Sequence, residues 1–323
     1  MDTMHTRPRH DTLTGVTCGV GAGALWGLVF LAPALVRDFR PLDLTIGRYL
    51  FYGLFSILLI APHWTRLVGL LGRREWRGLV GLAFTGNVLY YLLLASAVQL
   101  GGIAMTSLVI GFLPVAVTLV GSRDRGAVPL RRLTPSLLLA AAGVLCIGGQ
   151  ALLMPAAETI GRQLLGLACG VGALAAWTCF AVSNARWLTR LQHVSVHEWN
   201  LLIGVVTCGL TALLLPLAWA LPRVPQPPSA WALLIGVSAG VALLASMVGN
   251  ALWNRMSRLL SLTLVGQMIL FETLFALLYG FVWERRLPTL LEAIAFVLVA
   301  LSVVTCLAAH RAPPAAISDA PAR

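Results

Sequence analysis

Apolar residues along this chain gather into long blocks, near 15–36, 43–61, 78–98, 103–121, 135–153, 164–185, 198–221, 230–252, 261–282 and 288–309. Each block is close to the roughly 20 residues an α-helix needs to cross the hydrocarbon core of a bilayer. Arginine-bearing stretches separate them: Arg66 to Arg77 follows the second block and Arg123 to Arg132 the fourth, while Pro222 to Pro228 follows the seventh. Only Gly101-Gly102 stands between the third and fourth, which predicts a tight helical hairpin. Strands of a membrane barrel would be shorter and would alternate. The pattern therefore predicts an all-α integral membrane protein of ten transmembrane helices.

Composition narrows the picture further. The 323 residues are 59% hydrophobic and 11% charged, against about 25% charged for a soluble domain. A soluble fold would lack polar surface. The net charge of +11 rests on arginine alone, since the chain contains no Lys. These arginines fall in the connections between blocks, so they read as topology signals rather than as a nucleic-acid-binding patch. With the N-terminus inside, cytoplasmic segments hold sixteen of them and outer segments only Arg37, Arg40, Arg162, Arg223, Arg285 and Arg286, with Arg48 inside a span. That bias places both termini in the cytoplasm. Six cysteines (Cys18, Cys146, Cys169, Cys179, Cys208 and Cys306) all lie in apolar blocks and read as small packing residues.

The two halves resemble each other. Residues 15–26 (GVTCGVGAGALW) align without a gap on 166–177 (GLACGVGALAAW), sharing Gly15/Gly166, Cys18/Cys169, Gly19/Gly170, Gly21/Gly172 and Trp26/Trp177. Each half holds five spans. An odd number turns the second copy over, giving two inverted five-helix repeats around a central cavity, an architecture frequent among transporters. The expected organisation is a cytoplasmic tail (1–14), a first repeat (15–153), an outer connecting loop (154–163), a second repeat (164–309) and a cytoplasmic tail (310–323).

Several of these features together resemble the drug/metabolite transporter superfamily, in its EamA family of ten-helix proteins. They are the Gly-rich start of each half with Trp26 and Trp177, Arg48, Asn87-Val-Leu-Tyr90-Tyr91, Gly111-Phe-Leu-Pro114-Val, and Trp283-Glu284-Arg285-Arg286-Leu-Pro288. The resemblance covers about 15–309. It implies a secondary transporter in the bacterial inner (plasma) membrane that exports amino acids or related metabolites. One departure stands out: alignment of the fourth span on the ninth sets Pro114 opposite Glu272, where many relatives carry a second proline.

Glu272 lies halfway along its span, where a charged side chain costs at least ~2.5 kcal/mol on insertion scales. Such a carboxyl group serves as a proton-coupling site or as an anchor for a substrate ammonium, or it is a structural group bonded to a neighbouring helix. Arg48 shares a helix face with Tyr52 and Phe55. It is read as a ligand for a substrate carboxylate or an outer gate, against snorkelling to the interface. Polar and aromatic stripes mark other candidate walls: Asn87, Tyr90, Tyr91 and Leu94; Ser246, Asn250, Trp253 and Asn254; Trp177, Ala181 and Asn184; and Asn200, Gly204, Thr207 and Thr211. Of these, Asn87, Tyr90, Trp177 and Asn250 are singled out, although such groups also serve as interhelical bonds. Gly15, Gly19, Gly23 and Gly27 form a smooth face for helix packing. Pro33 and Pro114 are candidate kinks or hinges. His193 and His197 have the spacing of a helical metal pair, but without further ligands they read as a solvated loop.

An uptake system or an uncoupled facilitator of the same fold is the alternative within transport. The competing class is a membrane enzyme acting on lipid-linked substrates, which would want clustered Asp, Glu or His at a membrane face. The twelve acidic residues are scattered, and no Walker loop, dinucleotide fingerprint or Ser-His-Asp set is present. The expected partners are a small-molecule substrate and the lipid bilayer, with a homodimer left open. No cofactor, metal or nucleic acid is called for.

Overall fold

The computed structural model describes residues 9–121, 130–152, 157–191, 193–260 and 262–311. The expected tails 1–14 and 310–323 and the connecting loop 154–163 lie partly outside this set, as do Arg7, Arg123, Arg125 and Arg323 entirely. Among the described residues all regular structure is helical. In order these helices are α1 (Arg9–Leu35), α2 (Pro41–Ile60), α3 (Trp64–Leu70), α4 (Arg73–Ala83), α5 (Tyr90–Ile110), α6 (Leu113–Gly121) and α7 (Leu130–Leu152). There follow α8 (Ala157–Arg190), α9 (Val196–Leu213), α10 (Leu215–Ala220), α11 (Pro228–Val241), α12 (Asn250–Leu259), α13 (Leu262–Glu284) and α14 (Leu290–Arg311).

Six helical runs among the described residues are long and apolar enough to cross a membrane: Leu13–Leu35, Pro41–Leu70, Arg73–Ile110, Ile160–Arg190, Val196–Ala220 and Pro228–Leu259. Their outward faces are apolar, with Leu58 64% and Leu213 76% exposed. Such a skin is compatible with lipid as solvent, where every backbone polar group must be bonded within the protein. This is a multi-pass membrane protein.

Two wide turns interrupt the helical runs. Phe84–Leu89 joins α4 to α5, and Ala242–Gly249 joins α11 to α12, both as π-helical segments. The run 73–110 breaks at Gly102, whose φ of 88° and ψ of 169° are open almost only to glycine. Asn87 and Pro114 line one cavity from either side of this break, although a straight helix would hold them about 40 Å apart. The chain therefore doubles back at Gly102.

A second break separates α5 from α6 at Gly111-Phe112. Pro114 follows it in the first turn of α6, where its missing N–H needs no partner. Pro33 sits inside α1, within a turn of its end. Its carbonyl accepts a bond from Gln99 Nε2 at 3.4 Å.

The helices pack in pairs: α1 along α13, α5 along α8, α2 along α9 and α7 along α14. Glycines set the closest approaches. A Cβ at Gly23 would stand 2.9 Å from the Phe271 carbonyl carbon, and one at Gly27 would stand 2.9 Å from the Ala276 nitrogen. Gly15 meets Leu260, and Gly19 meets Met256 and Met268, so all four glycines of α1 face other helices. On α8, Gly166 stands against Gly101 and Leu100 of α5. Buried hydroxyls bond mostly to the carbonyl one turn back, as Thr45 does to Pro41 and Thr207 to Ile203. Ser302 instead ties α14 to the Ser136 carbonyl of α7, at 2.8 Å.

Candidate functional site

The π-helical segments, the break at Gly102 and the glycine face of α1 leave a cavity of about 360 Å³ between the helix pairs. Arg48, Asn87, Tyr90, Trp177, Asn250 and Glu272 all line it, from α2, the first π segment, α5, α8, α12 and α13 respectively. Trp26 and Trp253 form a further wall with ring centroids 4.9 Å apart.

Arg48 is 7% exposed and lies among aromatic rings. Its guanidinium carbon is 4.2 Å from the centroid of Tyr91 and 5.2 Å from that of Tyr49. Stacking on ring faces suits a planar, weakly hydrated cation. Nη2 donates to Ser246 Oγ at 3.2 Å, whereas Nε and Nη1 are buried with no partner. A buried cation with two unmet nitrogens is costly unless something completes its shell. Glu272 shares the cavity, close enough for the two charges to interact, but no ion pair within 4.0 Å joins them. The cavity thus presents one cation and one carboxyl group that form no ion pair within 4.0 Å.

The remaining polar groups brace the walls. Asn87 Nδ2 donates to Thr207 Oγ1 at 2.8 Å, bridging the first π segment to α9. Tyr52 donates its hydroxyl to the Asn200 carbonyl at 3.1 Å, and Asn250 Nδ2 donates to the Ser246 carbonyl at 2.8 Å. Trp26 Nε1 donates to the Ala245 carbonyl at 3.1 Å, inside the second π segment. Trp177 packs between Tyr90 and Phe180, with centroids 6.3 and 5.6 Å away.

The stripes read from sequence divide on this geometry. Asn87 and Tyr90 reach the cavity, but Tyr91 lies beneath Arg48 and Leu94 is wholly buried in the core. Ser246, Asn250 and Trp253 line the cavity together. Trp177 and Ala181 do so while Asn184 instead accepts the Trp199 indole N–H at 3.0 Å. On α9 only Asn200 of its stripe reaches the cavity; Gly204 packs on Ser56, and Thr207 and Thr211 lie in helix contacts. Phe55, expected beside Arg48, is not among the lining residues. Near the His193–His197 segment, Ser195 caps α9 in a reciprocal box with Glu198, which also pairs with Arg66. Sequence reasoning passed over Trp26, Phe180 and Ile110 as walls; the alignment of Trp26 on Trp177 was the available signal for the first.

Comparison with known proteins bears on this architecture directly. Residues 13–154 match the family model described as the EamA-like transporter family. Over 320 residues the chain is 30% identical to the inner membrane protein YtfF of Escherichia coli (strain K12), covering 94% of this chain and 97% of that one. It is 28% identical over 285 residues to the uncharacterized transporter YdeK of Bacillus subtilis (strain 168), covering 85% and 89%. A solved crystal structure superposes with a TM-score of 0.57 at 20% identity, over 93% of this chain and 96% of that chain, and so shares the fold. The class is that of helical membrane transporters. The chain belongs to the EamA-like transporter family of the drug/metabolite transporter superfamily.

Proposed function

We propose that this protein is a secondary transporter that exports a small amphipathic metabolite, an amino acid or a related compound or drug, across the inner membrane by alternating access. The observation that carries this reading is the cavity itself, where Arg48 has two unmet nitrogens and Glu272 faces it without an ion pair. A ligand with a carboxylate at one end and an ammonium at the other answers both charges. Its apolar body meets Trp26, Tyr90, Trp177 and Trp253.

Ten membrane crossings in two inverted repeats (15–153 and 164–309) underlie the mechanism. Three features support them. The run 73–110 is about 57 Å if straight, too long for one crossing of a ~30 Å core, and it breaks at Gly102. Under the repeat, α1 on α13 corresponds to α8 on the 103–121 limb, and α8 does pack on both the end of α5, at Val109, and α6. The π-helical segments at 84–89 and 242–249 occupy equivalent third spans, each met by the aligned tryptophan or its neighbour: Trp26 at Gly249, and Phe180 beside Trp177 at Gly86. Arginine placement puts both termini in the cytoplasm. Glu272, where the repeat has Pro114 on the other side, is assigned as the proton-coupling group.

The testing experiment profiles metabolites in spent medium from cells overproducing the native protein or Glu272→Gln. A metabolite that accumulates outside only with the native protein supports export and names a substrate. If the native protein, confirmed in the membrane, raises no metabolite outside above cells that lack it, the export reading is overturned; equal accumulation with Glu272→Gln removes only the coupling role.

A further inference from the structure

A second concavity, of about 420 Å³, lies apart from the central cavity, between α2, α10 and α11. It is a lateral groove. Ile46, Leu50, Leu54, Leu215, Leu234 and Ile235 supply its apolar walls. Leu54 and Ile235 are about half exposed, so the groove opens to the surface rather than into the protein. Its lining along α2 runs from Asp43 to Leu54, about 16 Å of helix, which is the depth of one leaflet of a ~30 Å hydrocarbon core.

Charge gathers at one end of the groove only. Arg40 holds Asp43 through two bonds of 2.7 Å and spends its remaining donors on the carbonyls of Ala218, Leu221 and Pro222. Asp43 is thereby neutralised. Arg223, bonded to the Ala218 carbonyl through Nε, stands 3.7 Å from Asp43 and is left as the surplus cation of the trio. Trp219, 72% exposed, and Trp231 flank this end, as aromatic side chains do at the headgroup level of a bilayer. One turn of α2 below Asp43, Gly47 lets Ser238 approach closely, and the Ser238 hydroxyl is fully buried in the groove wall with no partner in the protein.

From this arrangement we infer that the α2/α10/α11 groove is a binding site for an anionic phospholipid, with an acyl chain in the cleft and the phosphate on Arg223. The apolar length fits one chain in one leaflet. The surplus charge selects an anionic over a zwitterionic headgroup. The site is separate from the transport cavity and does not depend on what that cavity carries.

Native mass spectrometry of the full-length protein in detergent tests this, with phosphatidylglycerol and phosphatidylcholine of identical chains as the probes. The wild-type protein is expected to retain phosphatidylglycerol in preference to phosphatidylcholine. Arg223→Gln lowers that preference about five-fold, the worth of one arginine at an anionic surface. Ile235→Trp, which fills the cleft from its exposed side, lowers retention of both lipids. Glycerol 1-phosphate, a headgroup without a chain, displaces neither. Equal retention of the two lipids by the wild type, an unchanged preference in Arg223→Gln, or displacement by glycerol 1-phosphate overturns the inference. So does a dimer that carries no lipid and dissociates in Ile235→Trp, since the groove would then hold a second copy.

Discussion

The indole N–H of Trp26 donates to the carbonyl of Ala245 at 3.1 Å, joining α1 to the π-helical segment between α11 and α12. A π-helical turn leaves carbonyls less fully used than an α-helical one, and here a side chain from the other half of the chain takes one of them. Trp26→Phe keeps the stack on Trp253 and removes the bond. The loss is expected to cost about 0.5–1.5 kcal/mol, read as a lower unfolding temperature of the purified protein. An unchanged temperature would show that the bond contributes nothing.

Arg48 lines the cavity, and two of its nitrogens are buried without a hydrogen-bond partner. Arg48→Lys keeps the charge but gives up the planar fork and its stacking on Tyr91. Substrate affinity is expected to fall about ten- to a hundred-fold, matching the loss of one charge-assisted bond of roughly 1.5–3 kcal/mol. Binding of the exported metabolite by calorimetry checks it, and native affinity in the lysine variant would remove Arg48 from substrate recognition.

Coupling assigned to Glu272 has its own signature. Export by the native protein should slow when a protonophore collapses the proton gradient. Glu272→Gln should export more slowly and show no further response to the protonophore. Normal transport by Glu272→Gln with the native pH dependence makes the residue structural.

Close packing of α1 on α13 is set at Gly23, where an added Cβ meets backbone at 2.9 Å, whereas one at Gly81 meets nothing within 4 Å. Gly23→Ala should destabilise by about 1–3 kcal/mol. Gly81→Ala, on an open face of α4, should be neutral or slightly stabilising, as expected for Ala in a helix. Thermal unfolding of both variants side by side separates the two sites; equal shifts would contradict the packing argument.

Much of the architecture was legible because apolar block length and glycine spacing are local signals. Gly101-Gly102 marks the break in the sequence itself, since a glycine pair between two long blocks has few other uses. The candidate site was legible only in part. Arg48 and Glu272 are 224 positions apart in the sequence, and nothing local says that α2 and α13 face one cavity. Stripe arithmetic at 3.6 residues per turn also drifts where the helix widens. After Phe84–Leu89, Tyr91 and Leu94 turn into the core rather than toward Asn87 and Tyr90. On α9 the polar stripe was spent on Asn87 and on backbone carbonyls, a choice that only the neighbouring helices determine.

Gly102 joins its two limbs through a single residue, and that has a mechanical consequence. With no slack between them, any tilt of one limb against the other would pivot on Gly102. The limb from Gly102 back to Asn87 is about 22 Å long, so a tilt of about 10° would sweep Asn87 through about 4 Å. A displacement of that size at the cavity wall needs only a small torsional change at Gly102. A pivot there would resize the interior of a glycine-packed bundle while its helices stay intact.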